Sequence, residues 1–294
     1  MADAIDQILT LVLQKTDETQ LRTLLSAFEL QDITILSEGR AAEGIAPCTL
    51  SKTQIDAVLE AESLIADYAL QPHLGRQKQL LICDMDSTLI GQECIDELAD
   101  FAGFKDRVSA ITERAMRGEI GFDGALKDRV ALLEGLPLED LQRCFDERIK
   151  VNEGARTLCA TMKANGANTV IVSGGFTFFS SRVAETIGFE HHHANVLLEN
   201  ETALTGKVQM PILGREAKLE RLQEYSAPYG GTDHAIAIGD GANDLAMITA
   251  SGLGIAYYAK PAVAAAAHCA INHTDLRTAL YFQGYKESDF IERG

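Results

Sequence analysis

The rhythm of apolar and polar positions changes several times along this chain. Residues 5–13 and 20–28 carry apolar side chains at helical spacing, and residues 32–36 read as a strand. Residues 52–69 predict a helix with Ile55, Val58, Leu59 and Leu64 along one stripe. Gly39, Gly44 and Pro47 mark loops, and Gln71-Pro72-His73-Leu74-Gly75-Arg76 marks a boundary. Residues 1–75 are therefore expected to form a small accessory α/β domain.

A short apolar run, Leu80 to Cys83, then predicts a buried parallel strand. Helices follow across 92–102, 105–117, 121–133 and 138–150, separated by Gly118, Gly121, Gly135 and Pro137. No strand pattern interrupts them, so residues 91–150 read as a helical cap inserted after the first core strand. The α/β rhythm resumes with a helix at 152–165, a strand at 169–172 and a helix at 176–187. A hairpin is expected from 194–199 and 205–210, then a helix at 215–225, a strand at 234–238 and a helix at 245–250. Strands at 253–257 and 268–271 and a helix at 276–282 end the pattern. Strands alternating with helices predict a Rossmann-like, three-layer parallel α/β core over residues 76–294. His191-His192-His193 follows a helix end and is expected in a solvated loop, because consecutive side chains cannot all face one ion.

Charge changes what the chain can bind. With 43 acidic against 26 basic residues, the net charge of -17 argues against nucleic acid and against an anionic membrane surface. It leaves room for a small anionic substrate at a locally positive site. No apolar run reaches the length of a membrane span, and the first residues lack the basic flank of a signal peptide. The six scattered cysteines form no C-x-x-C pair and fit reduced thiols, so a cytoplasmic location is expected. The oligomeric state stays open between a monomer and a homodimer.

Candidate chemistry stands at three predicted strand ends: Asp84 and Asp86, Ser173-Gly174-Gly175, and Asp240 with Asn243-Asp244. Positions i and i+2 share a side, so Asp84 and Asp86 can face one site. Taken alone, that pair also fits an Asp-rich turn, with Ser87 and Thr88 capping the next helix. In a parallel sheet the three strand ends share one edge. Clustered carboxylates suit a hard cation such as Mg²⁺, and glycines after Ser173 allow backbone N–H groups to approach a phosphate. Lys218, on the helix before the Asp240 strand, is the cation placed to complete an anion site.

Asp-Met-Asp-Ser-Thr, Ser-Gly-Gly-Phe, Lys218 and Gly-Asp-Gly-Ala-Asn-Asp, in this order, resemble the four motifs of the haloacid-dehalogenase-like phosphohydrolases, and among these the phosphoserine phosphatases. The resemblance covers about residues 76–294. It implies Asp84 as nucleophile, forming an aspartyl-phosphate, and Asp86 as general acid and then base. It implies Mg²⁺ on Asp84, Asp240 and the Asp86 carbonyl, with Ser173, the Gly174 N–H and Lys218 on the phosphoryl oxygens. Asn243 would contact the phosphate region, and Asp244 would support Lys218 or the metal's waters. Glu93, Met116, Phe122 and Arg129 of the cap match the family's substrate-binding positions, Glu93 for an ammonium and Arg129 for a carboxylate. The expected substrate is O-phosphoserine. Another phosphomonoester, transfer to an acceptor alcohol, and a catalytically silent amino-acid sensor are the competing functions.

Overall fold

The computed structural model describes residues 7–116 and 119–292, and the side chain of Met116 lies outside the described residues. In chain order the first elements are β1 (Gln7–Leu13), α1 (Glu18–Ala27), β2 (Gln31–Ser37), β3 (Ala41–Ala46), α2 (Lys52–Ala61) and β4 (Ala66–Pro72). Then come β5 (Leu80–Cys83), α3 (Cys94–Phe101), α4 (Lys105–Met116), α5 (Phe122–Ala131) and α6 (Leu138–Arg148). The chain continues with α7 (Ala155–Ala164), β6 (Asn168–Phe176), α8 (Thr177–Ile187), β7 (His191–Asn195), β8 (Leu197–Glu199), β9 (Leu204–Val208) and α9 (Arg215–Ser226). It ends with β10 (Ala235–Gly239), α10 (Leu245–Ala250), β11 (Leu253–Tyr257), α11 (Pro261–Ala266), β12 (Cys269–Ile271) and α12 (Thr278–Phe282).

Two compact units account for these elements. One gathers the residues up to 81, 153–168 and those from 222 onward; the other holds 82–152 and 169–221. In the first unit the strand order is β2-β3-β1-β4-β12-β11-β10. The N-terminal strands pair antiparallel, while β10, β11 and β12 run parallel, with Ile238 beside Ile255 and Ile255 beside Cys269. β4 meets β12 antiparallel at Tyr68 and Ala270. Leu9, Leu11, Leu21, Leu24, Phe28 and Ile55 form one apolar core of this unit. In the second unit the order is β5-β6-β7, and β6 and β7 run parallel from Val170 beside His191. Helices α3 to α6 lie between Cys94 and Arg148, with no strand among the described residues of that stretch.

Four local expectations change, the first being that Gly44 lies inside β3, paired with Leu9, and not in a loop. Residues 7–13 form a strand, not a helix: β1 lies between β3 and β4 and is buried on both faces from Ile8 on, so its apolar run carries no period-two signal. The helix expected over 52–69 is α2 alone. It starts on a capping box between Ser51 and Gln54, and Ser63 turns to a positive φ of 54° before β4 begins. His191-His192-His193 lies in an edge strand, where backbone pairing with β6 overrides the weak strand preference of histidine. The expected hairpin is present as β8 and β9.

Candidate active site

Strand β5 is fully buried from Leu80 to Cys83 and delivers Asp84 directly at its end. Asp84 is 5% exposed, and its Oδ1 accepts from the Met85 N–H at 2.7 Å. Its Oδ2 lies 2.7 Å from Nζ of Lys218, which projects from the first turn of α9 and is 1% exposed. A buried carboxylate is tolerable only with such compensation. Asp86 accepts at Oδ1 from the Cys94 N–H, 3.2 Å away at the start of α3. Burial, and next the charge of Glu93, push the Asp86 carboxyl up to about 7, against the opposing pull of Cys94 and Lys218.

β6 runs past the expected end at residue 172 and carries Ser173, Gly174 and Gly175 within the strand. The hydroxyl of buried Ser173 accepts from the Gly175 N–H at 2.9 Å. A methyl group on Gly175 would stand 2.7 Å from Oδ2 of Asp86 and 3.1 Å from Oγ of Ser173, so only glycine fits and the two side chains face one point. Helix α8 starts immediately afterwards with no side-chain cap at Phe176, which leaves backbone donors at its N-terminus available to an anion. The second unit thus brings Asp84, Asp86, Ser173 and Lys218 to one region.

The cap contributes Glu93, Phe122 and Arg129. Glu93 accepts at 2.7 Å from Oγ of Ser87, a residue held at the unusual positive φ of 52°. Arg129 donates through Nε to the Ala125 carbonyl at 3.3 Å. Burial pulls the Arg129 guanidinium down, while the charges of Asp96 and then Glu93 favour its cationic form. Asp96, which the motif reading omits, is therefore the larger acidic neighbour of Arg129. Phe122 is 43% exposed, and its ring lies 3.5 Å from where a methyl group on Gly174 would stand and 3.6 Å from one on Gly214. The described residues give no placement for the Met116 side chain.

In the first unit β10 ends at Gly239, and Asp240 follows, half-buried. Fully buried Asp244 turns its Oδ2 back to the Gly241 N–H at 3.0 Å instead of capping α10. A methyl group on Gly239 would collide with the Asp244 carboxyl at 2.5 Å, so the glycine is required by that packing. The Asn243 amide oxygen folds over Gly241. Asp240 and Asp244 offer carboxylate oxygens within 4.8 Å of one another. Oxygen atoms alone, in carboxylates and a main-chain carbonyl, make up the donor set expected for Mg²⁺, and that chemistry fits the ion.

Asn195, at the end of β7, is a residue that the motifs do not reveal. It is 2% exposed, donates to the carbonyls of Gly174 at 2.9 Å and Leu213 at 3.2 Å, and accepts from the Leu213 N–H at 2.7 Å. A single asparagine has no spacing pattern, so only the fold brings it into view.

Comparison with known proteins agrees with this geometry. The family model for haloacid dehalogenase-like hydrolases matches residues 81–249. A protein of Archaeoglobus fulgidus named phosphoserine phosphatase is 46% identical over 204 residues, which are 68% of this chain and 59% of that protein. The chain thus spans less than two thirds of that relative's length. A phosphoserine phosphatase of Idiomarina loihiensis is 44% identical over 72% of this chain and 96% of its own. The crystal structure of a probable phosphoserine phosphatase from Vibrio cholerae superposes with a TM-score of 0.79 at 31% identity, covering 97% of this chain and 88% of that one. With the family match spanning more than half of its residues, including both the Asp84 and Asp240 strand ends, the chain belongs to the haloacid dehalogenase-like hydrolases.

Proposed function

We propose that this protein is a Mg²⁺-dependent phosphoserine phosphatase that releases serine and phosphate through an aspartyl-phosphate. The observation that carries the reading is the buried Asp84–Lys218 pair, with Asp86 and Ser173 directed to the same region. The names of the relatives support the choice of substrate. Asp84, Asp240 and the Asp86 carbonyl would hold Mg²⁺, which when bound lessens the repulsion between a carboxylate and a phosphate dianion.

An Oδ atom of Asp84 attacks phosphorus, and the bond from phosphorus to the seryl oxygen breaks. Asp86, whose carboxyl burial and then Glu93 push up to about 7, gives its proton to the departing oxygen from its protonated form. The resulting carboxylate then takes a proton from water, which attacks the aspartyl-phosphate and regenerates Asp84 as inorganic phosphate leaves. Ser173, the Gly174 N–H and Lys218 hold the phosphoryl oxygens while their charge redistributes. Asn243 contacts the phosphate region and Asp244 supports the cationic side of the site. In the cap, Glu93 faces the substrate ammonium and Arg129 its carboxylate, with Phe122 and Met116 excluding water. Residues 1–75 act as an accessory domain that supplies no catalytic group.

Phosphate release from O-phosphoserine, measured beside a panel of phosphomonoesters with Mg²⁺ and after chelation, tests the reading. Selective, Mg²⁺-dependent turnover of phosphoserine is expected. Preference for another ester, or transfer to an alcohol in place of hydrolysis, would replace it with a different activity of the same family.

A further inference from the structure

We propose that Asn195 is a positioning residue that sets the anion-holding end of β6 and the Lys218 helix in one fixed relation. The inference rests on the phosphatase reading above and assigns a role to a residue outside its motifs. The Asn195 carboxamide spends both of its donors and its acceptor on main chain: the Gly174 carbonyl, the Leu213 carbonyl and the Leu213 N–H. The first contact acts on the phosphate-holding end of β6. The Gly174 carbonyl and the Gly175 N–H belong to one peptide plane, so Asn195 holds its oxygen side while Ser173 Oγ holds its N–H at 2.9 Å. Because that Oγ is occupied as an acceptor, the Ser173 hydroxyl hydrogen is left to point elsewhere, as a donor to a phosphoryl oxygen requires.

The other two contacts act on the cation. Leu213 stands two residues before Arg215, the first residue of α9, and Lys218 lies in the first turn of that helix. Asn195 binds Leu213 as a neighbouring strand would, through both its N–H and its carbonyl. One buried amide therefore ties together the strand end that offers neutral donors and the helix that offers the ammonium. Misplacement of such groups by about 1 Å is enough to cost on the order of a hundredfold in rate.

Asn195→Ala should lower kcat by about 10- to 100-fold, the range for loss of a supporting hydrogen-bonding partner around a reactive centre. The loss should be similar for phosphoserine and p-nitrophenyl phosphate, because both depend on the same phosphoryl-holding groups, and KM should move much less. Asn195→Asp keeps the shape and tests the hydrogen bonding itself. Ionised, its carboxylate would face two carbonyl oxygens; protonated, it regains a donor. Its activity relative to wild type should therefore rise as pH is lowered, with circular dichroism used to verify folding at each pH. A folded Asn195→Ala protein with wild-type kcat would overturn the proposal, as would an effect confined to KM. Should Asn195→Ala not fold, a pH-independent ratio for Asn195→Asp would overturn it equally. A wild-type protein that hydrolyses neither ester would overturn both this inference and the functional reading; an active wild type confines any failure to Asn195.

Discussion

Nζ of Lys218 lies 2.7 Å from Oδ2 of Asp84, and both side chains are withdrawn from solvent. An ion pair in that setting is weak evidence for stability, because desolvation of the two charges offsets much of their attraction. Its value is in holding a carboxylate charged and oriented at the end of a strand that is itself completely buried. Removing one partner leaves the other charge in a cavity built for two.

Stability and activity should therefore separate. Lys218→Met should cost about 3–5 kcal/mol in urea unfolding, as for a buried charge that loses its partner. Combining it with Asp84→Asn should recover most of that loss, since neither charge remains, yet turnover should stay abolished. Asp84→Asn alone should also fail to form an acid-stable phosphorylated protein. Turnover in the double variant would show that Asp84 is not the nucleophile.

A second prediction concerns pH. The Asp86 carboxyl, pushed up to about 7 by burial and then by Glu93, loses its proton as pH rises through that value. For phosphoserine, whose departing oxygen needs a proton, kcat/KM should fall on the alkaline side of about 7. For p-nitrophenyl phosphate, whose leaving group departs as a stable anion, the fall should be much shallower. Glu93→Gln removes the second cause of the elevation, so the alkaline limb should move to lower pH. A limb in the same place for wild type and Glu93→Gln would detach Glu93 from the acid.

The legible parts of this molecule are those where chemistry forces a residue type to a fixed place. Asp84 and Asp240 directly follow buried strands, Asp86 lies two residues beyond Asp84, and Ser173 sits in the last part of β6, so none can drift without disturbing a buried strand. Helices α3 and α6 are equally readable, because each has one apolar face. β1 is not: Gln-Ile-Leu-Thr-Leu-Val-Leu is covered on both faces, so alternation is erased and the run fits either structure. β3, Ala-Ala-Glu-Gly-Ile-Ala, carries weak strand formers, and its pairing with β1 and β2 supplies what local preference lacks. Asn195 escapes for a different reason. It works by hydrogen bonds to partners that the chain delivers only after folding.

Specificity should rest on the cap. Arg129 is half-buried and has Asp96 and Glu93 as its acidic neighbours, so its positive charge faces carboxylates of the protein before substrate arrives. Arg129→Ala should cost about 2–4 kcal/mol in kcat/KM for phosphoserine, as for loss of a desolvated charge partner. The loss for p-nitrophenyl phosphate, which has no carboxylate, should be far smaller. Equal losses on the two substrates would assign Arg129 to holding the cap together with Asp96.

The N-terminal region should matter for stability while contributing nothing to the reaction. Asp67, on β4, is 3% exposed and receives the N–H groups of Asn272, His273 and Thr274 at 2.8, 3.1 and 2.9 Å, with the Thr274 hydroxyl at 2.6 Å. These donors follow β12, so one carboxylate from the N-terminal strands caps the turn beyond the last strand of the parallel set. Arg76 adds a second link within the same unit, pairing with Glu43 at 2.6 Å. Asp67→Ala leaves those N–H groups without their acceptor and should cost about 2–3 kcal/mol in urea unfolding, the range for charge-assisted bonds removed from one side. Its kcat, measured well below the melting temperature, should match wild type. A chain beginning at Gln77 loses β4 as well, uncovers the edge of β12 and should melt below the Asp67→Ala protein, while still hydrolysing p-nitrophenyl phosphate at low temperature. Unchanged melting in both would mean that β12 and its turn hold without the N-terminal strands. A folded but inactive truncated chain would instead mean that residues 1–76 help to build the site, and the accessory assignment would fall.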